Sequence, residues 1–190
     1  IAIIGAMDEE VANIATALSN VTVTEEAGVK VTRGTLETNK GTAVNVAATV
    51  GGMGTVNIAA TTQHLIDADQ PDAVIFSGIA GNLNTNLHIN DDQALNNLNI
   101  HHIVGIIATG NYFVDDPQKV EQVIRETGAD AVEMEGAAVA HVAARNDVPA
   151  LVIRALSDNA DTDYEDFKTF DISEYADTAA KLTVNIAKRM

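Results

Sequence analysis

The sequence predicts an α/β fold, a parallel or mixed central β-sheet surrounded by helices, and three observations carry that expectation. Short β-branched runs alternate with longer amphipathic stretches along the chain, the pattern of strands and helices taken in turn. Two of these runs end in glycine-rich segments, Gly51-Gly52-Met53-Gly54 and Ser77-Gly78-Ile79-Ala80-Gly81, read as loops that follow strands. A length of 190 residues, 46% hydrophobic and 20% charged, suffices for one compact domain over 1–190 with a core of its own.

The elements follow in order. Ile1–Gly5 reads as a buried strand, and Asp8 as the cap of a helix through Leu18 whose first turn holds Glu9 and Glu10. Val29–Leu36 and Thr42–Ala48, joined through Asn39-Lys40-Gly41, read as a hairpin. A helix is expected from Thr55 to Asp67, then a buried strand over Ala73–Phe76. His102–Ala108 reads as a strand, Pro117–Glu126 as a helix with proline in its first turn, and Ala131–Met134 as a short strand. Gly136–Asn146 is the next helix, Ala150–Leu156 a strand that is apolar apart from Arg154, and Ser173–Arg189 an amphipathic helix.

Bulk properties narrow the function classes. Eleven basic against 27 acidic residues give a net charge of −16, which repels nucleic-acid phosphates and anionic lipid surfaces. The absence of cysteine excludes disulfides, thiolate metal sites and a cysteine nucleophile. No apolar run reaches the roughly 18 residues of a membrane span. With Ile1 opening straight into a strand rather than a signal segment, the expected location is the cytoplasm. His64, His88, His101, His102 and His141 show no metal spacing, so no metal and no cofactor are expected.

Ligands of α/β sheets bind beyond the carboxyl ends of the strands, and three groups of polar residues fall there. Asp8, Glu9 and Glu10 crowd a helix start, which the helix dipole favours whatever their function. Glu133 and Glu135 share one side of an extended segment in apolar company, either meeting polar groups of a ligand or capping the helix from Gly136. Arg154 interrupts an apolar strand and calls for an anionic partner. Ser157-Asp158 lies just past the strand's end, open to catalysis or to an Asx turn. Neither glycine segment has the spacing of a nucleotide-phosphate loop.

Taken in order, Ile3-Ile4-Gly5-Ala6-Met7-Asp8-Glu9-Glu10-Val11, Gly52-Met53-Gly54, Ser77-Gly78-Ile79-Ala80-Gly81, Gly110-Asn111-Tyr112-Phe113-Val114, Val132-Glu133-Met134-Glu135 and Arg154-Ala155-Leu156-Ser157-Asp158 resemble the 5′-methylthioadenosine/S-adenosylhomocysteine nucleosidases. The resemblance implies the nucleoside phosphorylase fold, with its sheet forming a distorted barrel, a homodimer with the pocket completed across the interface, and a hydrolytic step of methionine salvage. It implies that Glu10 activates the attacking water and that Asp158, oriented by Ser157, protonates or hydrogen-bonds N7 of the departing adenine. Arg154 would organise the acids and water. Met134 would pack on the ribose, Glu135 would accept its 2′- and 3′-hydroxyls, and Phe113 would stack on the base while backbone around Val114 reads its edge. Met7, Met53, Ala80, Gly81, Glu133 and Tyr164 complete the implied binding set, Tyr164 in place of the family's usual phenylalanine. Ile79 stands where the family commonly has serine, which leaves its glycine segment only a packing role.

The chemistry is consistent with these residue types. Breaking an N-glycosidic bond builds positive charge on the sugar and negative charge on the base, so carboxylates beside the ribose and a proton donor beside N7 are needed. A donor aspartate must stay protonated well above its ordinary value of about 3.9. Phosphorolysis of purine nucleosides would instead want cations and hydroxyls where Glu10 and Ile79 stand. A related futalosine or adenine nucleosidase and a silent nucleoside-storage protein are the remaining alternatives. Relative to the family, a segment of several tens of residues is lacking between Asp92 and Gln93, and the lid before Tyr164 is short. The expectation is that the natural chain continues with further residues at both points.

Overall fold

The computed structural model describes residues 1–86, 103–161, 164–167 and 171–190, without the side chains of 164 and 165. His88, His101, His102, the junction between Asp92 and Gln93, and the start of the strand expected from His102 lie outside the described residues, as does the side chain of Tyr164. The element order is β1 (Ala2–Gly5), α1 (Asp8–Thr16), β2 (Ser19–Glu26), β3 (Val29–Glu37), β4 (Ala43–Val50), α2 (Thr55–Asp69) and β5 (Val74–Asn82). There follow β6 (Ile107–Thr109), α3 (Pro117–Thr127), β7 (Ala131–Glu133), α4 (Gly136–Arg145), β8 (Ala150–Asp158), α5 (Tyr164–Phe167) and α6 (Ser173–Ala187).

The described strands form one mixed sheet in the order β2-β3-β4-β1-β5-β7-β6, with β8 also joined to β5. β1 runs parallel to both β4 and β5, with Ala2 opposite Ala47 and Val74. Buried on both faces, it alternates between two cores. Ile3 packs with Ile14, Ile75 and Ala180 on the side of α1 and α6, and Ile4 with Ile58, Leu65, Phe76 and Val139 on the side of α2 and α4. This is the α/β arrangement read from the alternating runs, and the β3–β4 hairpin pairs antiparallel as expected, Gly34 facing Val46.

Four local expectations need correction. Ser77–Gly81 is not a loop: β5 continues to Asn82, because β8 pairs with it in parallel from Val74↔Ala150 to Gly81↔Asp158. The strand expected from His102 is confined, among described residues, to Ile107–Thr109, which pair with β7. Residues 19–26, left without an element, form the edge strand β2, paired to β3 alone and exposed over nearly its whole length. Val21 and Val23 point to solvent there, so no buried face marks its pattern. Finally, Met7 rather than Asp8 caps α1, because the Glu10 carboxylate reaches back to the Met7 N–H at 3.1 Å.

The helix ends otherwise follow their local chemistry. Asp116 accepts from the Gln118 N–H at 2.6 Å, Pro117 opens α3, and Gly128 at φ 65° closes it in the left-handed region. No helix among the described residues is long and apolar enough to cross a membrane.

Ile4→Ala is expected to lower unfolding stability by about 2–5 kcal/mol in urea denaturation, since Ile4 is fully enclosed. Val23→Ala on the exposed edge should stay within about 0.5 kcal/mol of wild type.

Candidate active site

The carboxyl ends of β1, β5, β7 and β8 converge on one cavity of about 390 Å³. Its innermost acid is Glu10, which the first turn of α1 carries under β5 and which is 2% exposed. Three backbone N–H groups hold its carboxylate: Ala6 at 2.6 Å and Met7 at 3.1 Å donate to Oε2, and Ile79 at 3.0 Å donates to Oε1. The approach depends on Gly78, where a Cβ would lie 2.7 Å from Glu10 Cδ and 2.8 Å from Arg154 Nη1. The glycine segment thus admits a carboxylate and a guanidinium against bare backbone. Burial pushes the Glu10 carboxyl above its ordinary value, opposed by the charge of Arg154 and by the three N–H donors.

Arg154 lies beneath the cavity floor. Its Nη2 pairs with Glu133 Oε2 at 2.5 Å with both side chains 3% exposed, its Nη1 donates to the Ile153 carbonyl at 3.2 Å, and its guanidinium stacks 3.9 Å from the Phe76 ring centre. The anionic partner expected for this arginine is therefore Glu133. That carboxylate also accepts from the Glu135 N–H at 3.1 Å, the Gly136 N–H at 2.7 Å and the Thr109 hydroxyl. Glu133 does cap α4, and it lines the cavity as well.

Glu135 is the N-cap residue of α4, yet its side chain makes no capping bond to that helix. Its Oε1 accepts instead from the Gly54 N–H at 2.7 Å, beside the start of α2. Burial raises its carboxyl, the Gly54 N–H and Arg154 lower it, and the neighbouring charges of Glu133 and Glu10 raise it again. Across the cavity, the Ser157 hydroxyl donates to Asp158 Oδ2 at 2.8 Å and the Ala160 N–H to Oδ1 at 2.6 Å, so the Asx turn and an oriented acid are the same structure.

Of the residues singled out in the sequence, Glu10, Ser157, Asp158, Met7, Met53, Ala80, Gly81, Phe113, Val114, Glu133, Met134 and Glu135 all line this cavity. Arg154 acts from behind it. Ala6, Ile79, Tyr112, Asp115, Val132 and Phe167 line it without having been singled out. Ile79 therefore does more than pack, since its N–H holds Glu10 and its side chain forms part of the wall. Phe167 stands 4.9 Å from Phe113, ring planes 48° apart, on the short helix α5. The sequence singles out Tyr164, whose side chain lies outside the described residues, and not Phe167 three residues later. Among the described residues no group of three acids or histidines could hold a metal ion.

The sequence model of the phosphorylase superfamily matches residues 1–91 and 92–190. The chain is 32% identical over 235 aligned positions to the 5′-methylthioadenosine/S-adenosylhomocysteine nucleosidase of Bacillus velezensis, covering 100% of this chain and 99% of that protein. Among solved structures, the nucleosidase of the same description from Colwellia psychrerythraea, in complex with adenine, superposes with a TM-score of 0.82 at 28% identity, covering 97% of this chain and 92% of that one. The futalosine hydrolase of Helicobacter pylori also superposes with a TM-score of 0.82, at 29% identity, covering 98% and 97%.

The raised Glu10 carboxyl has a defined linkage sign. Between its ordinary value and the raised one, the folded protein holds a proton that the unfolded chain has released, so this group's contribution to stability falls as pH rises. The unfolding free energy of wild type minus that of Glu10→Gln, from urea titrations between about pH 4 and 8, is expected to decrease with rising pH. An increase would contradict the assignment.

Proposed function

The chain belongs to the phosphorylase superfamily, among the 5′-methylthioadenosine/S-adenosylhomocysteine nucleosidases, and on that premise we propose that it hydrolyses the N-glycosidic bond of both nucleosides, releasing adenine and the 5-thio-substituted ribose. The observation that carries this reading is the placing of Glu10, Glu135 and Asp158 around one cavity, each held by hydrogen-bond donors.

Glu10 is the general base. Its buried carboxylate, raised by desolvation, takes a proton from water as the water oxygen bonds to C1′. The C1′–N9 bond breaks with its electron pair passing to the purine, and Asp158, held by Ser157 and the Ala160 N–H, delivers a proton to N7. Glu135 accepts the 2′- and 3′-hydroxyls, Met134 packs on the ribose, and Phe113 stacks on the base with Phe167 behind it. Met7 and Met53 supply apolar wall for the 5′-thio group. The carboxylates stabilise the positive charge that develops on the sugar.

Water is favoured over phosphate as nucleophile on electrostatic grounds. The described lining includes Glu10, Asp115, Glu133, Glu135 and Asp158 and no lysine, arginine or histidine, and Arg154 is committed to Glu133. A catalytically silent storage protein has no need of buried acids that resist ionisation. The likeness to a futalosine hydrolase supports futalosine as a second substrate to assay beside the two thio-nucleosides. We further place the protein in the cytoplasm as a homodimer whose pocket is completed across the interface. Met53 and Tyr112 at the cavity and Val56 beside them are exposed apolar side chains that support such a contact.

Adenine release from 5′-methylthioadenosine is expected in phosphate-free buffer; release that appears only on adding phosphate would overturn the hydrolytic reading. Glu10→Gln and Asp158→Asn should each lower kcat by about 10²–10⁴-fold. An unchanged rate in either variant removes that residue from its role. Because Glu10 works ionised and its carboxyl is raised, kcat/KM should fall on the acid side through a pKa above the ordinary carboxylate value of about 4.3.

A further inference from the structure

Glu135, the N-cap residue of α4, carries a carboxylate yet leaves its own helix start to other acceptors, and the reason lies in a residue with no assigned role. The first N–H groups of a helix need acceptors, and an N-cap side chain ordinarily takes one from the second or third helical residue. In α4 those groups are already taken. Gly136 N–H donates to Glu133 at 2.7 Å and Ala137 N–H to the Thr109 hydroxyl at 3.0 Å, while Ala138 and Val139 donate to the Glu135 carbonyl at 2.9 and 3.2 Å.

Thr109 is the last residue of β6 and sits opposite Glu133 in the parallel β6–β7 pairing. Its hydroxyl does two things together: it accepts from Ala137 N–H and donates to Glu133 Oε1. Glu133 in turn holds the Glu135 N–H. We propose that Thr109 is a positioning residue for Glu135: by capping α4 in its place and fixing Glu133, it leaves the Glu135 carboxylate free to face the cavity and receive the sugar hydroxyls.

Removing the hydroxyl while keeping the shape, as in Thr109→Val, strips Ala137 N–H of its acceptor. Glu133 Oε1 loses its donor at the same time, and the carboxylates left to meet the helix start are those of Glu133 and Glu135, drawn by the positive end of the α4 dipole. Glu135 then turns toward its own helix and away from the ligand. Serine keeps both hydrogen bonds. The inference rests on the reading of Glu135 as acceptor of the ribose hydroxyls, and the test separates the two.

The test measures kcat/KM for 5′-methylthioadenosine and for its 3′-deoxy analogue with wild type, Thr109→Val, Thr109→Ser and Glu135→Gln. Thr109→Val is expected to lose at least about tenfold on the ribonucleoside and at least about threefold less than that on the 3′-deoxy analogue, which offers Glu135 the 2′-hydroxyl alone, with Thr109→Ser within about threefold of wild type on both. General damage to the fold would lower both substrates alike, so equal losses for Thr109→Val overturn the proposal, as does failure of serine to restore the rate. If Glu135→Gln discriminates between the substrates and Thr109→Val does not, the positioning role alone is wrong. If Glu135→Gln does not discriminate, the sugar-acceptor reading falls and the role of Thr109 with it.

Discussion

The site is organised around one buried cation. Arg154, on β8, pairs with Glu133 on β7 at 2.5 Å and sits over the Phe76 ring of β5, so a single guanidinium ties together three strands of the sheet. Charges this deep are tolerated only when paired and hydrogen-bonded, and losing one partner of such a pair costs about 3–5 kcal/mol. Glu133 meets the condition with three further donors. Arg154 also offsets the burial of Glu10 and Glu135, lowering carboxyls that desolvation raises. Glu10, Glu133 and Glu135 can therefore stand around one cavity with the Arg154 guanidinium beneath them, each in a different electrostatic setting.

Backbone supplies the rest of the support. Glu10 is held by N–H groups from two separate segments, the β1–α1 connection and β5, and Gly78 lets the second come within bonding distance. Glu135 is held by Gly54 at the start of α2, and Thr55, next along, donates to the Asn111 side chain at 2.8 Å. The segment bearing Tyr112 and Phe113 is thereby fastened to the same helix start that holds Glu135. Regular elements and N–H donors hold these groups with little freedom, as a preorganised catalytic environment requires.

Much of this was legible before any coordinates, and unevenly so. Alternating runs revealed the layers because β1, β4 and β5 are buried and helix patterns separate them. Glu133 and Glu135 were legible because acids in apolar company are physically expensive, whereas only the family resemblance separated Glu10 from Asp8 and Glu9 and gave Asp158 more than an Asx turn. Val21 and Val23 hid β2, since an edge strand solvated on both sides has no inward face to mark. Gly78 helped Ser77–Gly81 read as a loop, whereas its role is to admit Glu10 and Arg154, a contact across 68 and 76 residues that no local pattern records. Thr109 and Phe167 were hidden for a related reason. A threonine ending a short strand and a phenylalanine in a four-residue helix are ordinary locally, and gain meaning only from Glu133 and Phe113 brought beside them.

The central claim is that a water molecule, activated by the buried Glu10 carboxylate, is the nucleophile in a cavity whose acids disfavour phosphate. Mass spectrometry of the sugar product formed from 5′-methylthioadenosine in phosphate buffer tests it most directly. The account predicts free 5-methylthioribose as the sole sugar product; formation of its 1-phosphate ester would contradict it.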